Sequence, residues 1–339
     1  MKAELSRPGE RGVALLLALL TMVLLTVVVV EFTFATQVGY RRAATWLLAK
    51  RAALIAEGGI ILASEVLAQD YFIDPYVDSL ADLWARELPP IDTGSGRLLV
   101  RIEDEQGRFN LNSLVLRSRS AQWQSYRTLL QILNLDPALV EPVGDWIDRD
   151  KQPGGNAGAE DAYYSALERP YTARNGQLQS FAELALVRGY DPMVLATLRP
   201  LVTALPLDDT KINPNTAPAL VLRSLHPHLA DETLVTNLIE HRRLQPFKKL
   251  EDVLKVDGMD VFGDTDQLGK LFSVASQYFR VRSTGEVDGV FQSVEALLYR
   301  ENGKVYVLYQ MARRGPNIVG VDLAATARID DTSLIGVTR

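Results

Sequence analysis

The chain is predicted to be an α+β protein. A long N-terminal helix, membrane-spanning in its first part, packs on a small antiparallel sheet, and a large all-α domain of duplicated units is inserted into that sheet. Three observations predict this. Val13 to Val30 is a run of eighteen residues without charge, Pro or Gly. The segments that alternate like strands lie far apart, near residue 100 and after residue 277. Between them, short patterns recur in the same order.

The apolar run follows a charged leader, MKAELSRPGERG. As a helix it spans about 27 Å, close to the hydrocarbon thickness of a bilayer. A secretory signal peptide has a shorter apolar core and a small-x-small cleavage site, and the stretch after Val30 has only a poor candidate near Ala35-Thr36. A plain signal anchor and a leader cut at the Gly12–Val13 junction both fit. Flanking charge does not choose the orientation. Lys2, Arg7 and Arg11 stand on one side, while Arg41, Arg42, Lys50 and Arg51 stand on the other and mildly favour the opposite topology.

No Pro occurs between Val13 and Phe72, so the helix is predicted to continue out of the membrane. Ala44, Leu47, Leu48, Leu54, Ile55, Ile61, Leu62 and Val66 recur near helical spacing and are the expected body-facing stripe. Bends are expected at Gly39 and Gly58-Gly59. The expected division is a leader over 1–12, a membrane segment over 13–30 and an emergent helix over 31–70.

Arg97–Asp104 alternates as a strand, as do Tyr278–Glu286, Val290–Arg300 and Val305–Arg313. Asn302-Gly303 is a type I′ hairpin signal. The first strand needs partners, and the later meander supplies them. The sheet domain is therefore discontinuous, 71–109 with 276–320, around an insert at 110–275 and before a tail at 321–339.

Within the insert, Asn110, Asn112 and Ser113 match Asn213, Asn215 and Thr216. Phe181, Glu183, Leu184, Val187, Gly189 and Asp191 match Leu250, Asp252, Val253, Val256, Gly258 and Asp260. Asp136, Leu139, Val140 and Asp145 align with Asp231, Leu234, Val235 and Glu240. Three matches in one order predict a duplicated helical unit. In each, N-x-N-[S/T] reads as a turn whose hydroxyl caps the next helix. Ser180 with Glu183 reads as a capping box, and Gly189 and Gly258 as left-handed helix ends.

Asp145 to Phe181 spans 36 residues where Glu240 to Leu250 spans 10, so the first unit carries 26 extra residues. These include Asp148, Asp150, Glu160 and Asp161, with Gly154, Gly155 and Gly158 between. Five carboxylates from Asp145 to Asp161 fit either a hard cation, which takes six to eight oxygens, or a solvated acidic face. The loop is not an EF-hand, because Lys151-Gln152-Pro153 breaks that pattern.

Other signals exclude more than they assign. There is no Cys, which removes disulfides and thiolate sites. The net charge of −6 argues against nucleic acid. His226, His228 and His241 lack a fourth zinc ligand and read as surface or cap residues. No Ser/His/Asp order, Walker loop or dinucleotide fingerprint occurs, and a hydrolase using the acidic loop has no other support. The second unit resembles the competence-type helix-hairpin-helix domain, whose Gly-rich hairpin binds DNA phosphates. The matching segment here, LHPHLADE at 225–232, lacks Gly and adds two acids. A helical scaffold without nucleic acid is the expected reading.

Together RGVALL at 11–16, GRFNLN at 107–112, DWIDRD at 145–150, GAEDAYY at 158–164, ELALVRGYD at 183–191 and INPNTA at 212–217 resemble the type II secretion minor pseudopilin K family over nearly the whole length. The resemblance implies the pseudopilin fold and a structural, non-enzymatic role in protein export, at the tip of the pseudopilus. A type IV pilus-like minor pilin is the neighbouring alternative. It implies cleavage between Gly12 and Val13 by prepilin peptidase, methylation of Val13, and an inner-membrane anchor with a periplasmic body. Ordinary pseudopilins carry Glu at mature position five, where this chain has Leu17. Implied partners are the other minor pseudopilins, the major pseudopilin, the peptidase and the inner-membrane assembly platform. The family's acidic loop binds calcium, which points to Asp148, Asp150, Glu160 and Asp161. Some members have a disulfide there, so a chain without Cys would rely more on metal.

Overall fold

In the computed structural model, residues 8–116, 120–206 and 210–313 are described. The expected tail at 321–339 and the start of the leader lie outside them. Helix α1 runs from Pro8 to Ile73 without interruption, 66 residues or about 99 Å. It passes through Gly39, Gly58 and Gly59 as helix, and it begins upstream of the Gly12–Val13 boundary. Its apolar part has a mean hydropathy of 3.1, is not covered by the rest of the protein, and is long and apolar enough to cross a bilayer.

The short β1 (Ile91–Asp92) leads into β2 (Arg97–Asp104). The chain then leaves the sheet through β3 (Phe109–Asn110) and a 3-10 turn at Leu111–Leu116. The insert contains α2 (Ala121–Ile132), α3 (Val140–Ile147), α4 (Asp161–Ser165), α5 (Pro192–Leu198) and β4 (Val202–Thr203). It continues with α6 (Ala219–Leu225), α7 (Glu232–Leu244), α8 (Leu250–Leu254) and α9 (Thr265–Leu268). The chain returns as β5 (Tyr278–Val287), β6 (Val290–Glu301) and β7 (Lys304–Arg313). The main sheet has order β1-β2-β5-β6-β7, with every pair antiparallel. Asn302 and Gly303 both have positive φ, as the I′ turn requires.

The stripe of α1 that packs on the sheet differs from the expected one. Ala52, Ala56, Ile60, Ala63 and Leu67 are buried, whereas Leu47, Leu54 and Ile61 are 47%, 67% and 73% exposed. Small residues win because helix and sheet approach closely. A methyl group on Gly285 would strike the Ala52 carbonyl and lie 3.0 Å from the Ala56 nitrogen, both helix backbone. Gly285→Ala must push α1 off the sheet. It is expected to cost about 1–3 kcal/mol, the range for an overpacked core, read as a lowered denaturation midpoint. An unchanged midpoint would contradict the close packing.

The direction of the helix fixes the direction of the body. Ala52 faces Gly285, and Gly59 lies against Leu98, Val100 and Ser283. Farther along, the Leu67 carbonyl accepts from Arg300 of β6. The insert leaves at the end of β2 and returns at the start of β5, where Asp104 pairs with Phe279. That is the end of the sheet remote from the membrane span, so the insert crowns the body.

The insert has its own core, built around Tyr126, Tyr164, Leu184, Leu229, Phe247 and Phe272. The sheet domain has another, built around Ile60, Leu67, Trp84, Phe279 and Leu298. Polar groups join the two. The Asp104 carboxylate accepts from the Gln106 amide at 2.7 Å, Thr216 Oγ1 at 2.6 Å, Ser276 Oγ at 2.7 Å and Asn213 Nδ2 at 3.1 Å. On the other face of the sheet, burial would raise the Glu105 carboxyl, but Arg108 and Arg280 outweigh it and hold it at about 2.

The duplication is visible bond by bond. Asn110 Oδ1 accepts from the Asn112 amide, and Asn213 Oδ1 from the Asn215 amide. Asn112 clamps both backbone groups of Leu178, and Asn215 both of Phe247. A parallel bridge closes each unit, Phe109 to Val202 and Ile212 to Phe272. Gly189 and Gly258 have φ of 85° and 89°, and their open faces meet Leu139 and Leu234.

Two local expectations are corrected. Ser113 and Thr216 do not cap the next helix; the Ser113 hydroxyl bonds back to the Asn110 carbonyl, and the Thr216 hydroxyl donates to Asp104. Ser180 makes no side-chain cap, and Glu183 instead accepts from the Gln179 amide at 2.9 Å. Asp252 does the same for Lys248 at 3.2 Å, so the departure is itself duplicated.

Candidate functional site

The acidic loop begins where α3 ends. Asp148 is the extended residue after the helix, so it does not share a helical face with Asp145. Asp145 turns inward, is 2% exposed, and accepts from the amides of Gly154 and Ala159. Asp148 accepts from the Asp150 amide and Asp150 from the Gln152 amide, which coils the loop tightly. Glu160, at the start of α4, is 3% exposed.

Carboxylate oxygens of Asp148, Asp150 and Glu160 lie within 4.8 Å of one another. Asp161 is not among them; its Oδ1 accepts from the Ala173 amide at 2.9 Å and ties down the far side of the loop. Both Glu160 oxygens are buried without a hydrogen-bond partner. Burial first, and then the charges of Asp145, Asp148, Asp150 and Asp161, push the Glu160 carboxyl up to about 7. Burial also raises Asp145, to about 6. An oxygen donor set with an orphaned buried carboxylate fits a hard divalent cation, which replaces the missing donors with charge. Aromatic rings back the loop: Trp146 meets Tyr164 edge-on at 5.1 Å, and Tyr164 stacks on Tyr171 at 5.2 Å.

A second carboxylate group, Asp70, Asp78 and Asp82, also comes together. It already has a cation. Arg300 bonds Asp78 through both oxygens at 2.5 and 2.6 Å and Asp70 at 3.2 Å. Sequence reading passed over this site because its members are spread from residue 70 to residue 300.

His226 and His228 sit at the turn as expected, whereas His241 is half-buried with its Nδ1 unpartnered among the described residues. His226 caps its own turn by accepting from the His228 amide, and His241 stacks on Phe247 at 5.0 Å. Asp231 caps α7 through the Thr233 amide, so acid occupies the place where a phosphate-binding hairpin needs free amides. On α1, Gly12 is exposed, and Val13 and Leu17 are 58% and 57% exposed, one turn apart on one face.

An exposed apolar helix carried on an antiparallel sheet, with a helical crown inserted at the far end, defines a membrane-anchored pilin-type subunit. Sequence models described as type II secretion system protein K match residues 107–207 and 212–275. Protein K of Pseudomonas aeruginosa is 34% identical, covering 89% of this chain and 92% of its own. That of Aeromonas hydrophila is 29% identical over 90% and 98%, and that of Klebsiella pneumoniae 34% over 67% and 72%. A chain in the crystal structure of the GspK-GspI-GspJ complex from enterotoxigenic Escherichia coli shares the fold. Its TM-score is 0.71 at 24% identity, covering 81% of this chain and all of that one. The chain belongs to the type II secretion system protein K family, the minor pseudopilins of that machinery.

Proposed function

We propose that this minor pseudopilin is the tip subunit that starts the secretion fibre, assembling with I-type and J-type minor pseudopilins and then with the major pseudopilin. The observation that carries this is the crown. A domain of about 165 residues seated on the membrane-distal end of the body leaves no room for another subunit above it. The structure of the GspK-GspI-GspJ complex supports the choice of neighbours. The role is structural, without catalysis. The anchor lies in the inner membrane with the body in the periplasm, docked there with the assembly platform.

In this reading prepilin peptidase cuts between Gly12 and Val13, and Val13 becomes a methylated terminus. Leu17 cannot supply the carboxylate that pairs with a neighbour's terminal amine in ordinary fibre subunits. Asp148, Asp150 and Glu160 would hold Ca²⁺, whose charge locks the loop to the crown.

Mass spectrometry of the protein from membranes is expected to show Val13 as the first residue, with one added methyl group. Gly12 replaced by a bulky residue is expected to leave the leader attached and to stop secretion. Normal mature size and secretion in that variant would overturn the reading. Gold label on the crown is expected at one fibre end, and label spaced along the fibre would exclude the tip position.

A further inference from the structure

Two more acids of α3 reach the metal loop without joining the group of three. Asp145 accepts from the Gly154 amide at 2.9 and 3.1 Å and from the Ala159 amide at 2.7 Å. Glu141, one turn earlier, accepts from the Ala157 amide at 2.8 Å. Arg188 takes the other side of the same strand of loop. Its Nη1 donates to the carbonyls of Ala157 at 3.3 Å and Gly158 at 3.1 Å, and its guanidinium lies 4.8 Å over the Tyr163 ring. The strap at 154–159 is thus held by its amides on α3 and by its carbonyls on Arg188.

The consequence falls on the next residue. A buried carboxylate ordinarily collects nearby backbone amides, and those bonds stabilise its charge. Glu160 has none, although it follows Ala159 directly. The amides of Gly154, Ala157 and Ala159 are already committed to Asp145 and Glu141.

We propose that Asp145 is a positioning residue for the cation: by engaging the amides of Gly154 and Ala159 it fixes the strap and keeps both Glu160 oxygens open for metal. This rests on the reading that Asp148, Asp150 and Glu160 hold the ion. Glu141 and Arg188 assist, and Asp145 itself stays off the metal.

Sterics provide a second route to the same contact. A methyl group on Gly158 would lie 2.5 Å from Asp145 Oδ2 and 2.6 Å from the Gly154 nitrogen. Gly158→Ala therefore displaces the strap from Asp145 while every charge remains.

The test is a terbium titration of the full chain in detergent, with Tb³⁺ standing in for Ca²⁺ and luminescence excited through Tyr163 and Tyr164. Asp145→Asn and Gly158→Ala are each expected to weaken binding about 10–100-fold, the usual loss when a support of a metal ligand is removed. Water bound to the ion, counted from decay rates in H₂O and D₂O, is expected to be unchanged in both. An added water in Asp145→Asn would make Asp145 a ligand and overturn the proposal. Weakening by Asp145→Asn but not by Gly158→Ala would reduce the effect to bulk charge and overturn it too. Should Asp145→Asn fail to fold, Gly158→Ala decides alone. If the unaltered protein binds no Tb³⁺ or Ca²⁺, the metal reading itself fails, and this proposal with it.

Discussion

Arg300→Ala is expected to lower the unfolding free energy of the body by about 3–5 kcal/mol, the range for removing one partner of a buried ion pair. Arg300 is 4% exposed and Asp78 is fully buried. Without the guanidinium, Asp78 keeps, among the described residues, the Ser276 amide at 2.7 Å as the donor to its carboxylate. The loss extends beyond one pair. Arg300 also donates to the Leu67 carbonyl, the Ser276 carbonyl and Asp70, and lies 4.7 Å over the Phe279 ring. It therefore ties the end of α1, the segment after it and β6 into one joint, and Ser276 passes that joint to Asp104 and the crown. Arg300→Lys is expected to recover only part of the loss, because an ammonium cannot reproduce the planar fork. Urea unfolding of the purified protein measures both variants. A loss under about 1 kcal/mol for Arg300→Ala would mean that the joint is dispensable.

Removing metal is expected to cost nearly as much. Calcium at a hundred to a thousand times its dissociation constant stabilises the native state by about 2.7–4 kcal/mol. The pH dependence gives this prediction a sign. Glu160 has its folded value raised from 4.5 to about 7, and Asp145 from 3.8 to about 6. Between those limits the native state holds protons that the unfolded chain has released, so metal-free stability falls as pH rises. The fall begins near pH 4 and is complete slightly above pH 7. Calcium bound as proposed would replace the proton at Glu160, so the loaded protein should lose less over the same range, keeping the fall due to Asp70 and Asp78, which burial raises to about 6 and about 7. Thermal melts in chelator and in excess Ca²⁺ from pH 5 to pH 8 check this. Parallel curves would leave the loop a solvated face. On the acid side the sign reverses. The carboxyl of Glu105, lowered to about 2, contributes stability above about pH 4.5 and loses it toward pH 2.

Local and repeated patterns were the legible part of the sequence. Alternation placed β2 and the meander within a residue or two, and Asn302-Gly303 set the last turn. Asp288-Gly289 turns the preceding hairpin with the same positive φ pair, a signal equally present in the chain and passed over. The matched Asn and Gly positions, with Glu183 and Asp252, made the duplication readable because each does the same job in both units. Hydrophobicity misled on α1. The bulky residues Leu47, Leu54 and Ile61 look like the packed stripe, yet alanines face the sheet. That preference depends on a glycine in another strand, Gly285, and on the spacing it permits. Within the acidic loop, composition gathered the carboxylates correctly but could not sort them. Asp145 and Asp161 take backbone amides and Glu160 takes none, and the fold determines that.

The unbroken course of α1 has a mechanical meaning. From Val13 to Ile73 it is a rod of about 92 Å with no joint, which cannot absorb a push by folding at a hinge. Lifting its lower end by one residue, about 1.5 Å, raises the crown by the same distance. Turning it by one residue, about 100°, swings the crown through the same arc. Force applied in the membrane would arrive at the top of the molecule as motion rather than as strain.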